Sequence, residues 1–221
     1  LTNHFLIAMP GLQDSNFFRT VTYICEHNED GAMGIVLNRP TDLQLNDILE
    51  QLDIQPSARQ SGTQTVYLGG PVQSERGFVL HSNDREWDST LHITPRISIT
   101  TSRDILESIA EEKGPSKTFV ALGYAGWAGG QLEDELIANA WLNGPADESI
   151  IFHLQPEKRW KRRPSCWGSI STCCPVKSDT PDRFWRPGKP VPTMNEASRR
   201  SQTRERRPHG YQKRAVFAAT G

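Results

Sequence analysis

Three stretches of the chain carry residue types that could do chemistry. In Thr100-Thr101-Ser102-Arg103-Asp104 a strand-like run passes directly into a helical pattern. Unpaired backbone N–H groups, the positive end of a helix dipole and the donor fork of Arg103 would converge there, and a phosphate or carboxylate is the ligand they suit. The same residues also read as plain capping, with Ser102 or Thr101 at the N-cap and Arg103 paired to Glu107 one turn on. Gly69-Gly70-Pro71, followed by Glu75-Arg76-Gly77, offers backbone that another group can approach closely, beside an opposite-charge pair. Glycine at those positions would equally serve a strand connection needing positive φ. Tyr23-Ile24-Cys25-Glu26-His27 places a thiol, a carboxylate and an imidazole together, and a thiolate activated by histidine is nucleophilic. Alternation along a strand puts Cys25 and His27 on one face. The competing reading is a small buried cysteine near a strand end, since no sequence feature supplies oxyanion donors or a third orienting group.

Other chemistry finds less support. His4, His27, His81, His92 and His153 are scattered without ligand spacing, so no metal is expected. No Gly-x-Gly-x-x-Gly or Walker-type lysine accompanies the glycines, and no cofactor is expected. Gly123-Tyr124-Ala125-Gly126-Trp127 would suit ring stacking with a ligand or, more simply, core packing. Glu133-Asp134-Glu135 could include a catalytic carboxylate, but acids there also favour the first turn of a helix.

The elements that would position these residues alternate quickly. Phe5–Met9, Thr20–Cys25 and Met33–Leu37 read as short strands, the last two joined as a hairpin through Asn28-Glu29-Asp30-Gly31. Leu43, Leu45, Ile48, Leu49 and Leu52 recur at helical spacing, opened by Asn46 or Thr41. Strands follow at 66–68, 77–80, 91–93 and 97–99, then a helix at 103–112 ended by Gly114-Pro115. Phe119–Gly123 reads as a strand, Gln131–Trp141 as a helix, Ile150–Leu154 as a last strand, and Pro156 as the start of a final helix. Short strands in hairpin-like groups predict an α+β fold with a largely antiparallel, barrel-like sheet flanked by helices.

This grammar stops at Trp160. Residues 161–221 hold fourteen Lys and Arg against four Asp and Glu, so the totals of 25 and 26 leave 11 basic and 22 acidic residues for the first 160. The net charge of −1 therefore averages an acidic domain, 1–160, and a basic, disordered tail, 161–221. Three of the four cysteines, Cys166, Cys173 and Cys174, lie in the tail. Arg199-Arg200 and Arg204-Glu205-Arg206-Arg207 could neutralise phosphates as a nucleic-acid arm. The preferred reading is a frame slip of one nucleotide just after Trp160. Cysteine and tryptophan codons both begin TG, so reading one base earlier turns Trp167 and Cys174 into leucine and yields a plausible helical ending rich in alanine and leucine. The acidic balance of residues 1–160 disfavours direct nucleic-acid contact there. A single cysteine, Cys25, in that part suits a reducing cytoplasm. The apolar run Phe5–Met9 stops at Pro10, so neither export nor membrane insertion is expected.

Taken in order, Asn3–Pro10, Arg19-Thr20-Val21, Tyr23–Asn28, Gly31–Gly34 and Asn38-Arg39-Pro40 resemble the N-terminal half of the bacterial AlgH/YqgE family. Gly69–Val72, Glu75–His81, Thr100–Asp104, Ala121–Trp127 and Gln131-Leu132-Glu133 resemble its remainder. The resemblance implies a compact cytoplasmic α+β fold built on a coiled antiparallel sheet. It also implies a final helix that begins near an Arg-Trp and finishes in Gly-His-Ala, which the shifted frame restores. One family name derives from a proposed regulatory role in alginate synthesis, yet no helix-turn-helix is visible here. The resemblance transfers no catalytic residue. The expected function is a non-enzymatic binding or regulatory module whose partner is a protein or a small anionic ligand. The alternative is an enzyme or sensor for a phosphorylated or carboxylated small molecule, with Thr101, Ser102, Arg103, Gly69, Gly70 and Arg76 holding the anion and Cys25 or His27 near the chemistry.

Resequencing across codons 159–163 is expected to return a one-nucleotide change that restores the helical ending, and the restored chain is expected to melt higher than the chain as written. An in-frame read shared by independent isolates, or equal melting temperatures, would sink the frame slip.

Overall fold

The structure, a computed structural model, describes residues 1–12, 14–57 and 63–159. The expected boundary at Trp160 and the tail at 161–221 lie outside the described residues. The elements run β1 (His4–Ala8), β2 (Val21–Asn28), β3 (Gly31–Val36), β4 (Pro40–Gln44), α1 (Leu45–Gln51), β5 (Thr65–Leu68), β6 (Val72–Ser82), β7 (Thr90–His92) and β8 (Ile97–Thr100). Then follow α2 (Asp104–Ala110), β9 (Thr118–Ala128), α3 (Gln131–Ile137), β10 (Trp141–Pro145), α4 (Glu148–Phe152) and α5 (Pro156–Arg159).

The strands form one curled sheet, a half-barrel, in the order β10-β1-β2-β3-β9-β6-β8-β7. These neighbours are antiparallel, and off the path β5 pairs antiparallel with β4 and parallel with β9. The hairpin expected through Asn28–Gly31 forms, with Asn28 opposite Gly31. β9 is the strand the two halves share. Its residues Thr118–Leu122 and Tyr124 pair with β6, and Ala125–Ala128 pair with β3.

Two apolar clusters follow this division. Leu45, Ile48 and Leu49 of α1 and Ile105 and Leu106 of α2 pack with Val66, Val79, Val120 and Leu122. Leu6, Phe17, Ile24 and Val36 pack with Ala125, Trp127, Leu132 and Trp141. Along β9 the even-numbered Val120 and Leu122 serve the first cluster and the odd-numbered Ala125 and Trp127 the second. A strand keeps one parity per face. Phe119 and Ala121 are buried as well, so this half of β9 is covered on both faces, and between the two halves lies Gly123, whose φ of +70° is a left-handed conformation that glycine adopts without a Cβ penalty.

Four local expectations are corrected. Ile150–Leu154 is not a strand: α4 covers Glu148–Phe152, with the Asp147 carboxylate accepting the Ser149 N–H at 2.8 Å. That cap outweighs the β-branched pair Ile150-Ile151. Trp141 belongs to β10 rather than to the preceding helix, which ends before Asn139 turns left-handed at φ +56°. Leu43 lies in β4, and α1 opens at Gln44, whose N–H donates to the Asp47 carboxylate at 2.7 Å. Neither Asn46 nor Thr41 supplies that cap. Finally, Gly69 and Gly70 do not take positive φ; what they provide is closeness. A Cβ on Gly70 would stand 2.1 Å from the carbonyl carbon of Tyr124, and one on Gly69 would stand 2.3 Å from the Gly123 oxygen.

Gly70→Ala is therefore expected to destabilise the fold by about 3 kcal/mol or more, because the obstruction is backbone that no rotamer change relieves. Gly11→Ala, where a Cβ meets nothing within 4 Å, is the matched control and should be near neutral. Urea denaturation of both variants checks this; equal midpoints would refute the crowding.

Candidate functional site

The residues that shape a cleft among the described residues are set by a staple between the end of β3 and the loop preceding β2. The Asn38 side chain accepts the Val21 N–H at 2.8 Å and donates to the Arg19 carbonyl at 2.8 Å. Arg39 reaches the same loop, its Nη2 donating to the carbonyls of Ser15 at 2.8 Å and Phe18 at 3.4 Å. Partial burial lowers the pKa of this guanidinium, and the nearby Asp14 carboxylate opposes the shift. Arginine remains charged throughout the physiological range regardless.

Beside the staple lies a shallow cleft of about 270 Å³ lined by Asn16, Val36, Arg39, Leu68, Gly70, Pro71 and Ser74. One side comes from a bulge in β6. Val72 pairs with Tyr124 and Gly77 with Leu122, so residues 73–76 stand against Gly123 alone. Gln73 takes φ +49° in that bulge, Ser74 joins the cleft, and Arg76 turns to Thr101. Bulges of this kind re-aim side chains that regular pleating would alternate. A guanidinium, an amide, a hydroxyl and bare glycine backbone beside Val36, Leu68 and Pro71 make a small polar-and-apolar recess of the sort that holds a compact anion.

The anticipated site residues divide into separate groups. Gly70 lines the cleft, while Gly69 is spent on the sheet, its N–H donating to Leu122 and its carbonyl accepting from Val36, both at 2.8 Å. Arg76 and Thr101 come together, Nη2 donating to Oγ1 at 3.0 Å, with the guanidinium 5.8 Å from the Phe78 ring centre. Arg103 is itself the N-cap residue of α2, so neither Thr101 nor Ser102 is. Its Nε pairs with the Glu107 carboxylate at 2.8 Å on the exposed face. The Ser102 hydroxyl bonds to the Asp88 carbonyl and to Asp104. The Asp104 carboxylate also accepts the N–H groups of Asp88 and Ile105, at 2.8 and 2.9 Å. The start of this seven-residue helix is thus supplied with an acid of its own.

Cys25 and His27 do not form a pair by simple alternation. The β2–β3 register steps from Ile24 opposite Gly34 to Glu26 opposite Met33, leaving Cys25 in a bulge. Its thiol is buried and directed at the Tyr23 carbonyl, 3.7 Å away. Burial, and secondarily the Glu26 charge, push the thiol pKa well up, which disfavours the thiolate a nucleophile needs. His27 instead contacts α3, its Nε2 lying 2.6 Å from Glu133 Oε1. The Glu133 carboxyl is held below its ordinary range by its own backbone N–H and then by His27.

Two features escape sequence reasoning. Oε2 of Glu135 accepts both the Trp127 indole N–H at 2.9 Å and the Trp141 indole N–H at 2.7 Å, and Oε1 accepts Gln131 Nε2 at 2.9 Å. This carboxylate ties α3 to β9 and β10, so a catalytic assignment for it would have to dismantle the tie. The aromatic signal at 124–127 resolves as packing, with Trp127 stacked on Phe17 at 6.0 Å and Tyr124 edge-on to Phe78 at 5.5 Å. The second feature is the fully buried His81, which contacts the carbonyl of its neighbour Ser82 and the hydroxyl of Thr100, itself in contact with Thr90; only the fold brings the two threonines to it. A histidine inside an apolar strand was the sole hint.

The model of a family described as AlgH-like matches residues 5–168. A UPF0301 protein of Thioalkalivibrio sulfidiphilus is 58% identical over 160 residues, covering 72% of this chain and 86% of the relative. A UPF0301 protein of Saccharophagus degradans is 57% identical over 160 residues, 72% of this chain and 78% of the relative. The solution structure of the AlgH protein from Pseudomonas aeruginosa superposes with a TM-score of 0.65 at 50% identity, covering 72% of this chain and 85% of that one. The crystal structure of protein DIP2367 from Corynebacterium diphtheriae, at 24% identity and a TM-score of 0.57 over 74% of this chain and 87% of its own, shares the fold.

With its thiol enclosed and protonated, Cys25 is expected to resist iodoacetamide at pH 8 in the native protein and to react only as the domain unfolds. Peptide mapping by mass spectrometry separates it from Cys166, Cys173 and Cys174. Native-state labelling of Cys25 at the rate of a free thiol would contradict its enclosure.

Proposed function

This chain belongs to the AlgH-like family, and we propose that it acts as a non-enzymatic binding and regulatory module of the cytoplasm that takes a small carboxylated or phosphorylated ligand in the Arg39 cleft. The observation that carries the proposal is the composition of the recess. Arg39 supplies a fixed cation, Asn16 and Ser74 supply uncharged polar groups, and Gly70 leaves backbone uncovered beside them. Neither Cys25 nor His27 lines the cleft, which favours binding over catalysis in this site.

The same guanidinium gives the ligand a readout. Arg39 holds the carbonyls of Ser15 and Phe18, so an anion that recruits its donors competes with the loop. Phe18, 46% exposed, sits on that loop and is the group a protein partner would meet. A protein or small-molecule partner also accords better than nucleic acid with 22 acidic and 11 basic residues in the first 160. The free thiol of Cys25 suits the reducing cytoplasm.

Thermal-shift screening against phosphate, dicarboxylates and phosphorylated metabolites tests the reading. A true ligand at a hundred times its Kd adds roughly 2.7 kcal/mol, which for a domain of this size raises Tm by about 5 °C or more. Ser74→Glu, a change at an exposed position that brings a competing carboxylate to Arg39, is expected to abolish the rise while leaving the unliganded Tm within about 2 °C. No stabilisation by any member of the panel, or stabilisation unaltered in Ser74→Glu, defeats the assignment.

A further inference from the structure

His81 is fully buried in β6, and its two ring nitrogens face different kinds of partner. Nδ1 lies 2.9 Å from the Ser82 carbonyl oxygen, which can only accept, so Nδ1 must carry a proton. Nε2 lies 2.9 Å from the Thr100 hydroxyl, Thr100 Oγ1 lies 2.7 Å from Thr90 Oγ1, and Thr90 Oγ1 lies 2.7 Å from the Trp87 carbonyl oxygen. These are three successive contacts. Two threonine hydroxyls bring only two protons to them.

With His81 neutral, Thr100 must donate to Nε2. The Thr90 proton then serves either Thr100 or the Trp87 carbonyl, and one contact is left without a proton. With His81 protonated, Nε2 donates to Thr100, Thr100 donates to Thr90, and Thr90 donates to the Trp87 carbonyl, so every contact is a hydrogen bond. The step balances simply. One proton enters from solvent, it forms one N–H bond at Nε2, and the two hydroxyls rotate without breaking any covalent bond.

We propose that His81 is a proton sensor whose protonation reverses and completes this relay, fastening the Trp87–Thr90 turn to β8. The setting fits a group held close to neutrality but not locked there. Burial lowers the imidazole pKa first, the Ser82 carbonyl and Asp84 oppose that shift, and His92 adds to it. The neighbouring charges are otherwise engaged. Asp84 accepts the Ser82 hydroxyl and the Ser116 N–H at 2.8 Å each, and Glu86 stands 3.9 Å from His92. Arg85 donates to the Lys113 carbonyl at 3.0 Å, and Asp104 accepts the Asp88 N–H at 2.8 Å. Lys117, next to the β9 partner of His81, pairs with Glu148 at 2.6 Å. The Trp87 ring, edge-on at 4.8 Å, packs against the imidazole.

A histidine whose folded pKa lies below its unfolded value contributes stability that is complete above about pH 6.5 and is lost as pH falls through the folded value. The test is a pH titration of the full chain labelled with nitrogen-15 histidine, followed by NMR, for wild type, Thr90→Val and His81→Gln. Wild type is expected to show the Nδ1–H tautomer when neutral and a His81 midpoint below that of free histidine. Thr90→Val keeps the neutral bond from Thr100 to Nε2 but removes the acceptor that the protonated relay needs. It should weaken proton binding at His81 by about three- to tenfold, a fall of roughly half to one pH unit. Because folding could limit the acid range, urea denaturation from pH 7 to 5 adds a second reading, in which His81→Gln is expected to show a shallower loss of stability than wild type. An Nε2–H tautomer in the neutral protein, an unchanged midpoint in Thr90→Val, or equal pH slopes in wild type and His81→Gln each overturn the proposal.

Discussion

The architecture depends on a backbone-to-backbone contact that side chains would forbid. Where the β5–β6 connection crosses β9, Gly70 lies against the Tyr124 carbonyl and Gly123 against the carbonyls of Gly70 and Val72. Because that crossing is so tight, β5 can run parallel along Ala121 and Leu122 while β6 pairs with the same strand from the other side. Gly123 is left-handed at the crossing, and β9 serves one apolar cluster before it through Val120 and Leu122 and another after it through Ala125 and Trp127. The bulge at 73–76 follows from the same place, since β6 must leave the ladder around Gly123 and rejoin it at Gly77. The cleft is the recess left beside that detour.

Around this crossing, buried polar groups act as ties, each supplied with partners that compensate its desolvation. Glu135 gathers two indole N–H groups and an amide. Arg159, 4% exposed, donates to the Leu37 and Ile151 carbonyls and lies 5.3 and 5.2 Å from the rings of Tyr67 and Phe119. A guanidinium is the cation best fitted to such a position, being weakly hydrated and planar enough to stack. The tie keeps the chain specifically packed as far as Arg159, the last described residue.

Much of the fold was legible because period and punctuation agreed. The hairpin at Asn28–Gly31, the apolar spacing of α1 and the strand leading into α2 all rest on short-range signals, and all form. Ile150-Ile151 misled because a β-branched pair outside its context reads as strand, whereas Asp147 three residues earlier decides for helix. Thr100–Asp104 is more instructive. The residue types do gather at a helix start, but Ser102 and Asp104 satisfy one another there, and that mutual satisfaction depends on the Asp88 backbone, fourteen residues from Ser102. The Arg39 cleft was invisible for a related reason. Its wall comes from residues 16, 36, 39, 68, 70, 71 and 74, joined where the β5–β6 connection crosses β9, which no local pattern announces.

The cleft and the buried histidine occupy opposite ends of β6, and the strand between them bears on whether they communicate. Coupling through a structural element requires that the element have two discrete arrangements which both sites bias. Between Gly77 and Ser82, however, β6 is paired to β9 through Gly77–His81 and to β8 through Val79–Ser82, in continuous register. A slip by one residue would turn Val79 out of the core and His81 with it, so the alternatives to this register are costly. The irregular segments lie outside this paired stretch, the bulge at 73–76 before it and the Trp87–Thr90 turn beyond its other end. The anion proposed at Arg39 and the proton proposed at His81 would therefore act through different segments, the first on the loop that carries Phe18 and the second on the turn that carries Trp87, with the paired middle of β6 insulating one from the other.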